Sequence, residues 1–220
     1  MGKVEALIFD MDGLIFDSER VVQRSWNEAG TALGYGRVGE QIYHTLGFNV
    51  KRREAYFKSF YGQDFPMEEF GNLTRKVFYD IAESEGIAMK KGVRELMDFA
   101  RERGIRIGLA TSSRQEYSVR QLTEAGIWEY FDGCVFGDMV TKAKPDPEIY
   151  LKACEAVGVC PAKSMALEDA PAGIRASHAA GMIPVMVPDL VEPTEEIRKL
   201  CYRRVDSLID VILLVEELEK

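Results

Sequence analysis

The chain contains 220 residues, of which 46% are hydrophobic, and its formal net charge is −8. This length and apolar content are enough for a sizeable core, and for one large domain or one domain with an insertion. Because an acidic chain repels phosphate polymers, we expect no nucleic-acid partner.

The cysteines and the amino terminus indicate a reducing compartment. The four cysteines show no C-x-x-C pairing, which is typical of free thiols rather than of disulfides or a zinc site. The amino terminus lacks a signal-peptide pattern, and no apolar run approaches the ~20 residues that span a bilayer. We therefore expect a cytoplasmic protein with no membrane partner.

The first predicted strand ends in two carboxylates and a glycine. Residues 6–13 read ALIFDMDG, and a short apolar run bounded by a turn signal predicts a buried strand. Ligands bind at the carboxyl ends of strands in a mostly parallel sheet, so we expect Asp10 and Asp12 at the mouth of a site. Gly13 lets the backbone turn away from the sheet there. Two such carboxylates can bind a hard cation or divide the roles of nucleophile and acid/base.

The segment after this strand is predicted to be entirely helical, from about residue 18 to residue 87. Apolar residues recur at helical spacing over 18–33, through Tyr56–Phe60 and over 67–85. Residues 34–39 formally match G-x-G-x-x-G, but they follow a helix rather than a strand. We therefore assign no dinucleotide site to them.

From Gly92 the pattern changes to strands and helices in alternation. The predicted elements are a helix ending at Gly104, a strand over 106–110, a helix over 115–125, a strand over 134–136, a helix over 147–157, a strand over 165–167, a helix reaching Gly181, a strand over 183–187, a helix over 195–200, a short strand near Val205 and a helix over 207–219. Such alternation implies a parallel sheet with helices on both faces.

We therefore predict an α/β fold: a Rossmann-like, doubly wound parallel sheet interrupted by an all-helical cap domain. The core is expected to comprise residues 1–17 and 88–220, and the cap residues 18–87.

Polar side chains also follow the other predicted strands. The second strand ends in the segment TSSR at 111–114, a Lys144-Pro145 pair follows the third, and the fourth ends in Glu168-Asp169. A Lys-Pro pair alone is usually a surface turn, and a threonine at a strand end is usually a cap. Together, these segments bring hydroxyl, ammonium and carboxylate groups to one edge of the predicted sheet.

These segments, in this order, resemble those of the haloacid dehalogenase superfamily of phosphohydrolases, in the subgroup with a helical cap inserted after the first strand. The resemblance spans essentially the whole chain. It implies that Asp10 attacks phosphorus and forms an aspartyl-phosphate. It also implies that Asp12 protonates the leaving oxygen and then deprotonates the attacking water.

The same resemblance implies a phosphate site, a metal site and a substrate class. Oxygen ligands of this kind suit Mg²⁺, and we expect a magnesium-dependent phosphatase acting on a small phosphorylated metabolite, a sugar or nucleoside phosphate. The residues implied at the phosphate or substrate are Thr111, Ser112, Ser113, Arg114 and Lys144. The implied magnesium ligands are Asp10, the backbone carbonyl of Asp12, Glu168 and Asp169.

Two alternatives to a phosphatase follow from the same residues. Within the superfamily the motifs are most similar to beta-phosphoglucomutase and to the small-metabolite phosphatases that include pseudouridine-5'-phosphatase. The mutase has a histidine where this chain has Val22, which favours hydrolysis over a hexose-phosphate mutase. The alternative of another class is a phospho-aspartate signalling domain, which the second aspartate, Asp12, and the inserted cap disfavour. We expect a monomer, with a homodimer as the alternative.

Overall fold

The computed structural model describes residues 3–45 and 50–218. Among these residues, helices fill most of the chain between the first and second strands, and from the second strand onward strands and helices alternate. The strands are β1 (Ala6–Phe9), β2 (Arg106–Ala110), β3 (Gly133–Val135), β4 (Ser164–Glu168), β5 (Ile183–Met186) and β6 (Arg203–Arg204). The α-helices are α1 (Ser18–Ala32), α2 (Ile42–Thr45), α3 (Val50–Tyr61), α4 (Met67–Glu85), α5 (Val93–Glu102), α6 (Gln115–Glu124), α7 (Glu148–Val157), α8 (Pro171–Ala179), α9 (Glu195–Leu200) and α10 (Leu208–Leu218).

These strands form one parallel sheet in the order β3-β2-β1-β4-β5-β6. β1 lies between β2 and β4, and the direction in which the chain adds strands reverses at this point. In open parallel sheets, ligands bind in the crevice beyond the carboxyl ends of the strands at such a reversal. The strand order therefore places the ends of β1, β2 and β4 around a candidate site.

Both faces of the sheet are covered at β1, whose four side chains are all buried. Ala6 and Ile8 belong to a cluster that includes Ile149 of α7. Successive side chains of a strand point to opposite faces, so Phe9 lies on the other face, where its ring meets Phe131 edge-on. This two-sided burial explains why the strand is a continuous apolar run without polar alternation.

The chain divides into two compact units, Asp17–Ala88 and the remainder, Met1–Phe16 with Met89–Lys220. The helices α1 to α4 make up the first of these, and the sheet with α5 to α10 makes up the second. Within the sheet unit, an antiparallel bridge joins the two residues at the interruption, Phe16 and Met89. The helical unit, 17–88, therefore begins and ends one residue outside the cap predicted over 18–87.

The helical unit has an aromatic core of its own. α1 packs along α4, and the rings of Trp26, Phe57 and Phe70 meet edge-on or tilted, with Trp26 and Phe57 5.4 Å apart at their centroids. These are the separations at which aromatic pairs attract beyond simple burial of area. The apolar positions that predicted the cap helices therefore include the residues of this core.

The predicted fold class is confirmed by the parallel sheet, and the differences lie at element ends. The short strand predicted near Val205 is Arg203–Arg204, and these two residues pair with β5. The G-x-G-x-x-G segment connects α1 to a 3₁₀ turn at Gly39–Gln41. Residues 46–49 of the predicted cap and Glu219 of the last predicted helix lie outside the described residues. Among those described, no helix has the length and apolar character needed to cross a membrane.

Candidate active site

Three of the predicted site residues lie at neighbouring strand ends. Asp10 and Thr111 directly follow β1 and β2, and Glu168 is the last residue of β4. Phe9 pairs with a residue of β2 on one side and with a residue of β4 on the other, so these ends lie at nearly the same level of the sheet. All three polar side chains are buried. A buried polar cluster of this kind requires mutual hydrogen bonding or charge pairing to be stable.

Lys144 supplies much of that pairing. Its Nζ lies 2.5 Å from Asp10 Oδ1 and 2.6 Å from Glu168 Oε1, and it donates a further hydrogen bond of 2.9 Å to the carbonyl of Ala110. An ammonium group has three protons to donate, and these three acceptors use them all. Lys144 lies in the loop after β3, and its peptide bond to Pro145 is cis. The ammonium group therefore links the ends of three adjacent strands.

Tyr150 of α7 completes this cluster, although sequence reasoning assigned it no role. Its hydroxyl donates a hydrogen bond of 2.5 Å to Glu168 Oε1, and its ring lies 4.9 Å from the Lys144 ammonium. Burial, with the charge of Glu168, holds the pKa of Tyr150 well above its usual value, so the hydroxyl remains a donor. No sequence pattern marks Tyr150, because its position on α7 has the apolar helical spacing of a core residue.

For both Asp10 and Lys144, burial and the charge of the partner shift the pKa in opposite directions. Burial raises the pKa of Asp10 to about 7, while Lys144 lowers it and the charge of Glu168 adds to the rise. Burial also lowers the pKa of Lys144, but the charges of the two carboxylates outweigh it and leave that pKa above its usual value. A cation near Asp10 therefore favours the ionised form of its carboxyl group.

The carboxylates at the site fit a divalent cation. Asp10, Glu168 and Asp169 each present an oxygen, and these oxygens lie within 4.8 Å of one another. Gly13 adopts a φ of +82°, and a Cβ there would overlap a carboxylate oxygen of Asp169, so only glycine permits this close approach. Three carboxylates clustered in this way offer the all-oxygen ligands that suit Mg²⁺.

Asp12 pairs with the segment that follows β2. Its Oδ2 accepts a hydrogen bond of 2.7 Å from the hydroxyl of Ser113. The backbone N–H of Ser113 donates to Thr111 Oγ1 at 3.0 Å. In this structure both donors of Ser113 are therefore directed at protein groups, whereas Ser113 was predicted from the sequence as a residue that contacts the phosphate or substrate.

The remaining predicted site residues are more exposed. Ser112 and Arg114 are exposed, with Arg114 immediately before α6. Both histidines, His44 and His178, are also exposed. The structure therefore brings Asp10, Lys144 and Glu168 into direct contact, places an oxygen of Asp169 within 4.8 Å of the other two carboxylates, and leaves Arg114 at the surface.

A second residue that sequence reasoning missed is Lys90. Its Nζ donates a hydrogen bond of 2.8 Å to the carbonyl of Gly13 and forms a 2.7 Å ion pair with Asp189. It thus ties the loop after β1 to the loop after β5. No local pattern marks it, because the contact depends on the chain returning to the sheet after the helical unit.

Comparison with known proteins identifies the family. A family model described as haloacid dehalogenase-like hydrolase matches residues 7–187, most of the chain. The chain belongs to this family. The resemblance found in the sequence is thereby confirmed, and with it the prediction that the protein is an enzyme.

Relatives of the haloacid dehalogenase-like chain include proteins named for phosphate chemistry. YhcW of Bacillus subtilis is 36% identical over 195 residues, which cover 87% of this chain and 86% of that protein. The phosphorylated carbohydrates phosphatase of Thermotoga maritima is 33% identical over 181 residues, covering 81% and 82%. A crystal structure of a CbbY variant from Rhodobacter sphaeroides with xylulose 1,5-bisphosphate has a TM-score of 0.73 and 28% identity, covering 94% and 96%.

Proposed function

We propose that this protein is a magnesium-dependent phosphatase that hydrolyses a small phosphorylated carbohydrate through an aspartyl-phosphate on Asp10. The observation that carries the proposal is the buried contact between the Asp10 carboxylate and Lys144, at the strand end where ligands bind in such sheets. A carboxylate nucleophile splits one difficult hydrolysis into two easier steps. The phosphatase relative and the shared family support the same chemistry.

In the first step, a carboxylate oxygen of Asp10 forms a bond to phosphorus as the bond from phosphorus to the leaving oxygen breaks. That bond's electron pair goes to the leaving oxygen, which takes a proton from Asp12. In the second step, Asp12 takes a proton from water, the water oxygen attacks phosphorus, and the bond to Asp10 breaks. The net reaction converts a phosphomonoester and water into an alcohol and inorganic phosphate, and both aspartates return to their starting states.

Charge must be neutralised before an anionic carboxylate can approach an anionic phosphate. Lys144 provides one positive charge beside Asp10, and the hydroxyl of Thr111 lies at the next strand end as a donor to a phosphoryl oxygen. Asp10, Glu168, Asp169 and the Asp12 carbonyl would hold the magnesium ion. When bound, the ion supplies further charge neutralisation and orients the phosphoryl group.

The substrate class is proposed from the relatives. The Thermotoga maritima relative is named for phosphorylated carbohydrates, and the Rhodobacter sphaeroides relative was crystallised with a sugar bisphosphate. The chain's net charge of −8 also disfavours phosphate polymers. A sugar phosphate is therefore proposed ahead of a nucleic acid or a nucleoside phosphate.

The proposal predicts repeated release of inorganic phosphate from sugar phosphates in the presence of Mg²⁺. The measurement is a phosphate-release screen over sugar, sugar-alcohol and nucleoside monophosphates, with and without a chelator, followed by readdition of Mg²⁺. We expect many turnovers per enzyme on at least one sugar phosphate, loss of activity in chelator and recovery with Mg²⁺. Full activity in chelator would contradict the metal site.

Phosphate release, together with an assay for glucose 6-phosphate, distinguishes a phosphatase from the two alternatives. A signalling domain would be phosphorylated about once per molecule, without continued phosphate release. A mutase would convert beta-glucose 1-phosphate, with a trace of the 1,6-bisphosphate, into glucose 6-phosphate with little free phosphate. Either result would replace the phosphatase proposal.

A further inference from the structure

We infer that the hydroxyl group of Ser113 is a positioning group for Asp12, and that it sets the rate of proton transfer to the leaving oxygen. This inference rests on the proposed phosphatase function, because it assigns a step within that reaction. It differs from the role that the sequence predicted for Ser113, namely contact with the phosphate or substrate.

The contact between the two side chains carries the inference. Ser113 Oγ lies 2.7 Å from Asp12 Oδ2, and a hydroxyl that donates to a carboxylate forms a stronger hydrogen bond than a neutral pair does. A serine hydroxyl has one proton to donate. While that proton is directed at Asp12, it is not directed at a phosphoryl oxygen.

The backbone of Ser113 is held on both sides, so its hydroxyl is presented from a fixed position. Its N–H donates to Thr111 Oγ1 at 3.0 Å, and its carbonyl accepts a hydrogen bond of 2.8 Å from the N–H of Gly137. A Cβ at Gly137 would overlap the carbonyl oxygen of Ser112, so this close contact between the two loops requires glycine. Asp138 adds a second tie by accepting from the N–H of Gln115 at 3.3 Å.

This arrangement has a chemical consequence for the proton that Asp12 transfers. With Oδ2 accepting from Ser113, the protonated form of Asp12 carries its proton on Oδ1. The hydrogen bond thus favours the orientation of the carboxyl group in which the proton lies on the oxygen that does not contact Ser113. General acid catalysis depends on such placement and contributes about 10²–10⁴ in rate.

The test separates positioning of an acid from contact with phosphate. An alkyl phosphate needs a proton on its leaving oxygen, whereas p-nitrophenyl phosphate has a leaving group that is stable as an anion. We therefore compare Ser113→Ala with the wild type in single-turnover reactions with excess enzyme and Mg²⁺, measuring release of the alcohol or the phenol. This readout isolates the first chemical step from the later attack by water.

For Ser113→Ala we expect the first step to slow by about 10- to 100-fold with the alkyl ester, part of the full contribution of an acid. With p-nitrophenyl phosphate we expect a change of less than about threefold, and we expect Ser113→Thr to restore most of the alkyl-ester rate because it keeps a hydroxyl. In the Asp12→Asn background, adding Ser113→Ala should have no further effect, since coupled residues are not additive. Ser59→Ala, which removes an exposed serine hydroxyl in the helical unit, is the control.

Equal losses with both esters, or full additivity with Asp12→Asn, would overturn the inference and assign Ser113 to the phosphate. A wild-type rate in Ser113→Ala would overturn it as well. Failure of the proposed function is a separate outcome, because the wild type itself would then release phosphate from neither ester. Melting curves of each variant identify any loss of rate that comes from unfolding.

Discussion

Replacing Asp10 by asparagine is expected to lower the turnover number by about four orders of magnitude or more, as loss of a covalent nucleophile does in other enzymes. Asparagine has nearly the same shape as aspartate, but its neutral amide does not attack phosphorus. Lys144 would keep its hydrogen bonds to Glu168 and to the Ala110 carbonyl. The variant should therefore remain folded, and the measurement is steady-state phosphate release with a melting curve on the same sample.

A matched control distinguishes loss of the nucleophile from loss of one negative charge. Asp64 is exposed in the connection between α3 and α4, so Asp64→Asn makes the same chemical change away from the site and should keep wild-type turnover. Trapping with a radiolabelled ester adds a direct readout, since Asp10→Asn should form no acid-stable phosphoenzyme adduct under conditions in which the wild type does. Substantial phosphate release by a correctly folded Asp10→Asn would remove Asp10 from the role of nucleophile.

The fold was predictable where each element carries a local signal. The apolar run that forms β1 and the turn residues that end it lie within eight consecutive residues, so periodicity and residue type suffice there. The order of the strands was not predictable in the same way. That β4 rather than β3 lies beside β1 depends on which side each crossover takes, and no short pattern encodes this choice.

The site residues can also be separated into those with a local sequence signal and those without one. Asp10, Thr111 and Lys144 could be predicted as candidates because each follows a strand and has a side chain with the required chemistry. The contacts that these residues make with one another, and the role of Tyr150, could not be predicted. Tyr150 lies among buried apolar residues of α7 and has the helical spacing of a core residue, so only its 2.5 Å contact with Glu168 reveals a polar role. In the same way, the sequence does not tell whether the Ser113 hydroxyl faces a phosphate or Asp12.

Replacing Lys144 by methionine is expected to destabilise the metal-free protein by about 3–5 kcal/mol, since removing one partner of a buried ion pair leaves its counter-charge unpaired. Two buried carboxylates, Asp10 and Glu168, would lose the ammonium group that lies 2.5 and 2.6 Å from them. Methionine is also unbranched and lacks only the length of the terminal ammonium group, so packing along the aliphatic part of the side chain is nearly conserved. Turnover should also fall by about 10²–10³, the usual effect of losing one electrostatic contact to the transferring group. Denaturant titration and phosphate release measure the two effects.

The response of the Lys144→Met variant to Mg²⁺ tests whether the same carboxylates hold the metal. If Asp10 and Glu168 share the metal site, Mg²⁺ can compensate the charges that the Lys144→Met variant leaves unpaired, and binding to the native state alone raises stability. Added Mg²⁺ should therefore stabilise Lys144→Met more than it stabilises the wild type. The control is Lys152→Met, which removes a half-exposed ammonium paired with Glu148 at 2.7 Å and should change stability by about 1 kcal/mol or less. If Lys144→Met unfolds at the same denaturant concentration as Lys152→Met, with no differential response to Mg²⁺, then the lysine does not hold the carboxylates that we assign to catalysis.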